Sequence, residues 1–347
     1  MKKVDYIVVG CGLAGIAFCE QLRAANRSFM VFDNASQQAS KVAAGLYNPV
    51  TLKRFTKVWN AKSQLDLAIP KYKALEQLLQ QKLNHELPVR RKFASVEEQN
   101  SWYVASDQPV LSDFMLPKIL KNANADLIAA HGFGEVLHSG RIDTSQLVPS
   151  YQSYLEERNQ LERAGFEHAA VGFESGHIQY KDFESKYIVF AEGFGLAKNP
   201  FFSKLPLRGL KGEMLTIKAP NLQMDFVLKS SIFLVPLGDD LFWVGATYEH
   251  HDNTHTVSEE GKEQLLSKLK SVITCEFEIV DQVAGIRPTT KDRRPMVGRH
   301  DTHEQMFVLN GMGSRGVMIS PYAAKQLFEH IELGTALDPE IDIKRFN

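Results

Sequence analysis

The stretch DYIVVGCGLAGIAFCEQLRAANRSFMVFD, residues 5–33, decides the fold. Val4, Tyr6, Ile7, Val8 and Val9 form a short β-branched and aromatic run that stops at a glycine, the pattern of a parallel strand buried on both faces. Leu13 to Ala25 carries no proline, and no glycine after Gly15, and reads as a helix; Ser28 to Phe32 reads as a second strand. Strand, helix and strand in about thirty residues make a βαβ unit. Gly10, Gly12 and Gly15 fit G-x-G-x-x-G at its first turn. Gly10 allows the tight turn, Gly12 lets the backbone approach a pyrophosphate, and Gly15 lets helix and strand pack closely. The helix N-terminus supplies unpaired N–H groups and a partial positive charge. Asp33 ends the second strand, where a carboxylate accepts hydrogen bonds from the adenosine ribose and repels a 2′-phosphate. The unit is for a dinucleotide other than NADP, with NAD and FAD both open.

Outside this unit the totals exclude several classes. The chain has 347 residues, with 40 Lys and Arg against 41 Asp and Glu. That length predicts one large domain or two intertwined ones, and the balanced charge provides no global field for nucleic acid or anionic membrane. Cys11, Cys19 and Cys275 are an odd number without metal-ligand spacing, which points to free thiols in a reducing compartment. No stretch reaches the roughly 18 consecutive apolar residues that span a bilayer. The opening MKKVDYIVVGCGLAG is basic and then apolar like a signal peptide, but Asp5 interrupts it and its glycines come too early. A cytoplasmic protein is expected.

Along the chain, residues 60–83 read as a helix kinked or broken at Pro70. Residues 150–165 read as a helix closed by Gly165. Residues 166–193 alternate like antiparallel strands and end in the buried run YIVFAEG. A strand-rich region follows, with a Gly-Asp-Asp turn at 238–240, a helix over 259–272 and a strand over 277–288. The end of the chain is again strand, glycine-rich turn and helix. The expected fold is α/β (α+β overall), with a Rossmann-like nucleotide-binding domain from residues 1–55, 138–202 and 284–347. It is interleaved with a mostly antiparallel-sheet substrate domain from residues 56–137 and 203–283.

The far end narrows the nucleotide. VAGIRPTTKDRRPMVG (283–298) followed by MFVLNGMGSRGVMISPYAAKQL (306–327) resembles the C-terminal signature of the D-amino-acid oxidase (DAO) family of FAD-dependent oxidoreductases. SKVAAGLYNP (40–49) resembles that family's S-x-x-A-A-G segment, and FEHAAV (166–171) and YIVFAEG (187–193) its middle cofactor strands. LPLRGLKGEMLTI (205–217) and FLVPLGDDLFWVGATYE (233–249) resemble substrate-domain strands of its glycine-oxidase-like members. These segments, in the family's order, select FAD over NAD.

The resemblance implies that FAD is held by Gly10, Gly12, Leu13, Ala14, Gly15, Asp33 and Asn34, by Ser40, Lys41, Ala44, Gly45 and Leu46, and by Val171, Ala191 and Gly193. At the far end it implies Gly311, Met312, Gly313, Ser314, Arg315, Gly316 and Val317. SKVAAGLYNP has no His or Cys and the GIRPTT stretch has no Cys, so the flavin is expected to be non-covalent. Gly313 to Gly316 open a helix and would aim N–H groups at the flavin edge where negative charge develops, each such donor being worth about 3 kcal/mol in a desolvated site. Arg287 aligns with the arginine that grips the substrate carboxylate, a task for a planar bidentate guanidinium. The competing reading makes Arg287 a surface residue paired with Asp292 or Glu278. Arg315 would add charge at the flavin or reach substrate.

The implied activity is oxidation of the C–H bond beside the amine of an amino acid or secondary amine carrying a carboxylate, with hydride passing to the flavin and O2 or another acceptor reoxidising it. Phe233 stands where several amine-oxidising relatives carry a tyrosine, which points away from simple glycine. Lys53 and Arg54, in NPVTLKRF, suit an anionic or larger substrate; the bland alternative is a solvated loop. Glu192 replaces a small residue. A 2-hydroxy-acid dehydrogenase, a non-catalytic flavin-binding protein and a tRNA wobble-uridine carboxymethylaminomethyl oxidase are the alternatives, the last opposed by the lack of basic excess. His250, His251 and His255 fit no metal spacing and read as a polar loop, Arg90, Arg91 and Lys92 as a solvated strand edge.

Overall fold

The computed structural model of the chain describes residues 1–174 and 176–346. At the N-terminus β1 (Lys2–Val9), α1 (Leu13–Ala24) and β2 (Phe29–Phe32) form the expected βαβ unit, with β1 and β2 parallel. The short α2 (Ala39–Val42) carries Ser40 and Lys41 and leads through β3 (Leu46–Tyr47) to a two-stranded hairpin, β4 (Val50–Thr51) and β5 (Thr56–Lys57). Of the kink or break expected at Pro70, the break is absent: helix α3 (Ala61–Leu79) is continuous through it. Pro70 lies on the exposed side of α3, where water satisfies the carbonyl that a proline cannot bond. Then come β6 (Asn84–His85), β7 (Val89–Lys92), α4 (Val96–Ser106), β8 (Phe133–Val136) and β9 (Gly140–Ile142).

Helix α5 (Thr144–Glu156) begins and ends earlier than the sequence predicted. Asp143 caps it by accepting from the Gln146 N–H at 3.1 Å. The chain turns at Asn159, φ 56°, and β10 (Leu161–Glu162) pairs in parallel with β2. Pairing to the sheet edge thus replaces the last helical turn. A 3₁₀ turn over His168–Ala170 precedes β11 (Gly172–Glu174), β12 (His177–Tyr180) and β13 (Phe183–Phe190). The remaining elements are β14 (Arg208–Lys218), β15 (Val227–Lys229), β16 (Phe233–Gly238), β17 (Leu241–Gly245), α6 (Glu259–Lys270), β18 (Glu278–Thr289), β19 (Met296–Arg299), β20 (Met306–Asn310) and α7 (Gly316–Leu333).

Two large sheets organise these elements. The first runs β10-β2-β1-β13, with β13 pairing antiparallel to β12 at its start and parallel to β20 at its end. Strands from the beginning, middle and end of the chain therefore lie side by side. Ile7, Val8, Ile188, Val189 and Val308 are fully buried, as parallel strands covered on both faces require. Helices α1, α3, α5 and α7 pack on one face through Ile16, Leu22, Leu147, Tyr151 and Leu327. The second sheet runs β18-β14-β17-β16-β15-β7-β8 and is antiparallel except between β15 and β7. One face is closed by α6 through Leu215, Ile217, Leu265 and Leu269. Val89, Val227 and Val235 on its other face pack with Trp102 of α4 and with Val50 and Leu52 of the hairpin. No helix among the described residues is long and apolar enough to cross a membrane.

Candidate functional site

The site starts at the α1 N-terminus. Gly10 has φ +100°, and a Cβ there would lie 2.4 Å from the Ala191 carbonyl oxygen, so only a hydrogen lets β1 and the end of β13 close up. A Cβ on Gly15 would meet the Gly10 carbonyl oxygen at 2.0 Å. No acidic residue occupies the first turn of α1, and Ser40 reaches across to accept the Leu13 N–H at 3.2 Å. Asp33 accepts from the Cys11 N–H at 2.6 Å and from the Ala35 N–H at 2.7 Å, one bond per carboxylate oxygen, leaving further lone pairs for hydroxyl donors. The Cys11 thiol is buried beside Asp33; burial first, and that carboxylate second, push its pKa far up, which makes it inert packing.

Glu192, for which the sequence offers no role, is a clamp. Its carboxylate meets His168 Nε2 at 2.9 Å and accepts from Asn199 Nδ2 at 2.7 Å. It thereby ties the 3₁₀ turn that leads to Val171 to the segment that follows β13. Asn310, at the end of β20, donates to the Gly193 carbonyl at 2.9 Å and fixes the other side of that segment.

A second helix N-terminus faces the first. Arg315 caps α7 without a side-chain bond to its N–H groups, and no acid lies in the first turn. The Gly313 N–H donates to the Pro288 carbonyl at 2.9 Å, which brings the GMGSRG turn against the end of β18. A Cβ on Gly316 would sit 3.2 Å from Leu13 Cδ1, so the two N-termini converge. Two positively polarised helix ends without an acidic residue in their first turns, with Asp33 bonded to the glycine turn before α1, fit a group that carries a pyrophosphate and a ribose. The residues expected to hold FAD lie along these turns: Gly12, Leu13 and Ala14 on α1, Asn34 after β2, Lys41, Ala44, Gly45 and Leu46 around α2 and β3, and Met312, Ser314 and Val317 at α7.

Arg287 lies on β18 opposite Leu210 of β14. Its guanidinium rests on Gly212, where a Cβ would be 2.2 Å from Nη2, and stands 5.0 Å from the centre of the Tyr248 ring. Nη1 is buried without a hydrogen-bond partner. Asp292, the surface partner weighed from sequence, instead takes Arg345 at 2.9 Å, and Glu278 sits at the far end of the same strand. Burial lowers the Arg287 pKa, and Tyr248 acts the other way. Arg315 is alike: burial and then Arg293 lower its pKa, Tyr248 opposes them, and Nη2 donates to Thr51 Oγ1 at 3.1 Å. Neither guanidinium has a carboxylate partner among the described residues, and Tyr248 favours the charged form of both. Such a pair has the charge and the free donors to bind an anion.

The remaining expected residues lie around this point. Phe233 opens β16 opposite Gly245, with Lys229 Nζ 4.4 Å from its ring centre. Burial, then Arg91 and Lys268, bring Lys229 down to about 8. Lys53 and Arg54 are exposed at the tip of the β4–β5 hairpin, two and three residues beyond the Thr51 that holds Arg315. Tyr248 and Trp243 escape a reading of the sequence. Trp243 Nε1 donates to the Val42 carbonyl at 3.1 Å and docks α2 on the second sheet. The period-two alternation of β17 places Trp243 and Gly245 on the inner face, but Tyr248 lies beyond the strand, so alternation alone misses it. His250, His251 and His255 lie in the loop after Tyr248, and among the described residues no three potential ligands converge on a metal position.

The family model for FAD dependent oxidoreductases (DAO) matches residues 5–330. The chain is 28% identical over 181 residues to the tRNA 5-methylaminomethyl-2-thiouridine biosynthesis bifunctional protein MnmC of Aromatoleum aromaticum, covering 44% of this chain and 28% of that protein. It is 26% identical over 208 residues to glycine oxidase of Bacillus subtilis, covering 54% of this chain and 55% of that one. The matched stretches therefore span between about a quarter and just over half of these relatives. Among solved structures, glycine oxidase from Geobacillus kaustophilus superposes with a TM-score of 0.81 at 19% identity, covering 100% of this chain and 98% of that one. Iminodiacetate oxidase from Chelativorans sp. BNC1 superposes with a TM-score of 0.78 at 16% identity, covering 99% and 98%. At those identities the likeness is one of fold.

Proposed function

The chain belongs to the DAO family of FAD-dependent oxidoreductases, and from that premise we propose that it oxidises the C–H bond beside the nitrogen of an amine carrying a carboxylate. The observation that carries this reading is the Arg287 guanidinium, whose buried Nη1 has no partner and whose neighbours are a glycine and a phenol ring. Leaving a buried donor of a cation unpaired is costly unless a ligand completes it. A carboxylate matches its fork in shape and charge. FAD, when bound, supplies the hydride acceptor, and O2 is the proposed reoxidant.

Arg287 anchors the carboxylate and so fixes where the adjacent C–H points. Arg315, held by Thr51, supplies a second positive charge at the mouth of the α7 N-terminus. Phe233 and Tyr248 line the inner face of the second sheet, the Tyr248 ring lying beside the Arg287 guanidinium. The FAD contacts expected at Gly10, Gly12, Gly15, Asp33, Ser40, Val171, Gly193 and Gly313 to Val317 belong to the same proposal. Anaerobic mixing with D-amino acids, sarcosine, glycine, proline and iminodiacetate tests it: at least one should bleach the flavin absorbance. Bleaching by 2-hydroxy acids alone would replace it with a hydroxy-acid dehydrogenase.

A second reading keeps the same chemistry on a larger molecule. A carboxymethylaminomethyl group is itself a secondary amine with a carboxylate, and the exposed Lys53 and Arg54 project beside the Thr51–Arg315 bond, where a polyanionic carrier would pass. Flavin reduction by modified tRNA that weakens steeply with salt would favour it.

A further inference from the structure

The loop that follows Tyr248, the residue beside Arg287, is anchored by a buried lysine of β14. Tyr248 lies between two residues that continue the pairing of β17 with β14. The Glu213 N–H donates to Thr247 Oγ1 at 2.8 Å and the Thr247 N–H to the Glu213 carbonyl at 3.1 Å. Lys211 and Glu249 exchange both backbone bonds at 3.0 Å. This register sets Tyr248 opposite Gly212, on the face where the Arg287 guanidinium lies. After Glu249 the chain leaves the sheet and returns only at Ser258, the N-cap of α6.

That excursion is mostly exposed, yet a buried charge holds it. The Lys211 side chain is 2% exposed, and its Nζ donates to Asp252 Oδ2 at 2.6 Å, donates to the Thr256 carbonyl, and lies 3.7 Å from Glu213. Glu213 in turn accepts from the Ser258 N–H at 2.9 Å, Ser258 Oγ at 2.7 Å and Gln282 Nε2 at 2.8 Å. A lysine buried to bind a surface loop is a poor source of stability, because desolvation offsets the attraction. What the pair supplies is registry. It fixes the loop by its middle and end, beside Tyr248, which is itself 64% exposed and lies over Arg287.

We propose that Lys211 and Asp252 are positioning residues for the carboxylate site, holding the 249–257 loop so that the Tyr248 ring shields and orients the Arg287 guanidinium. The role of that guanidinium rests on the function proposed above, but its shielding does not. The experiment therefore reads Arg287 without substrate. Wild-type holoenzyme and the variants Asp252→Asn, Lys211→Met and Tyr248→Ala are treated with phenylglyoxal, and modification of the peptide carrying Arg287 is followed by mass spectrometry. Amide hydrogen exchange over 247–257 is measured alongside.

Asp252→Asn and Lys211→Met should each label Arg287 several-fold faster than wild type and exchange faster over 247–257, with the peptide carrying Arg345 unchanged. Tyr248→Ala should label Arg287 as fast with the loop still protected, and Asp252→Glu should return labelling toward wild type. Either anchor variant decides if it retains the flavin spectrum. Wild-type labelling of Arg287 in a folded anchor variant, or in Tyr248→Ala, overturns the proposal. Failure of every amine to bleach the flavin, with faster labelling in the variants, would count against the proposed function and leave the positioning role standing.

Discussion

The Arg287 guanidinium and the Tyr248 ring face each other at 5.0 Å across Gly212, although 39 positions separate them in sequence (287 − 248). A cation on an aromatic face gains roughly 0.5–2 kcal/mol, more where water is excluded. The ring therefore favours a charged Arg287 in a site whose burial opposes that charge.

Arg287→Lys should weaken carboxylate affinity while leaving FAD in place. An ammonium cannot make the two parallel bonds of a guanidinium, and the loss of one charge-assisted bond is worth about 1.5–3 kcal/mol, roughly a ten- to hundredfold change. Saturation of anaerobic flavin reduction by the reactive amine measures it; an unchanged half-saturation would assign the carboxylate to another residue.

Gly212→Ala tests the glycine floor. A Cβ there would lie 2.2–2.6 Å from the Arg287 guanidinium atoms, so the side chain must move. Substrate affinity should fall about as far as in Arg287→Lys, with the flavin spectrum and thermal transition close to wild type. An unaffected amine affinity would mean that Arg287 relaxes without consequence.

Glu192→Ala removes the partner of His168 and Asn199 together. Leaving the buried Asn199 amide without its acceptor costs about 1–3 kcal/mol, and the turn before Val171, held through the partly exposed His168, loses its tie to the segment after β13. FAD should dissociate more readily, seen as a raised free-flavin fraction on dilution. Normal retention of FAD would reduce Glu192 to a local packing role.

Lys229 sets a pH signature. Burial holds its folded pKa at about 8, below its usual 10.5. Between those values the unfolded chain binds more protons, so stability rises with pH from about 8 to about 10.5, by no more than about 3 kcal/mol before solvent screening. Below pH 8 the charged lysine is carried at a constant cost. Lys229→Met should abolish that rise in urea midpoints; the same rise in both proteins would mean that another group titrates.

The sequence by itself determined the βαβ unit at residues 5–33 and the family to which the later segments belong, a resemblance that singled out the GMGSRG turn and Arg287. The first rests on local rules, a glycine-rich turn between a strand and a helix, and the second on motifs that keep one order along the chain. Local rules misplaced α5, because pairing of Leu161 with Val31 competes with a helix that reads well in isolation. They also allowed a break in α3 at Pro70, where the helix continues with the proline facing water. Only the tertiary structure decided that Tyr248 covers Arg287, that Lys211 reaches Asp252 and that Trp243 holds Val42. These contacts depend on the register between strands distant in the chain and on which face of the sheet each side chain takes.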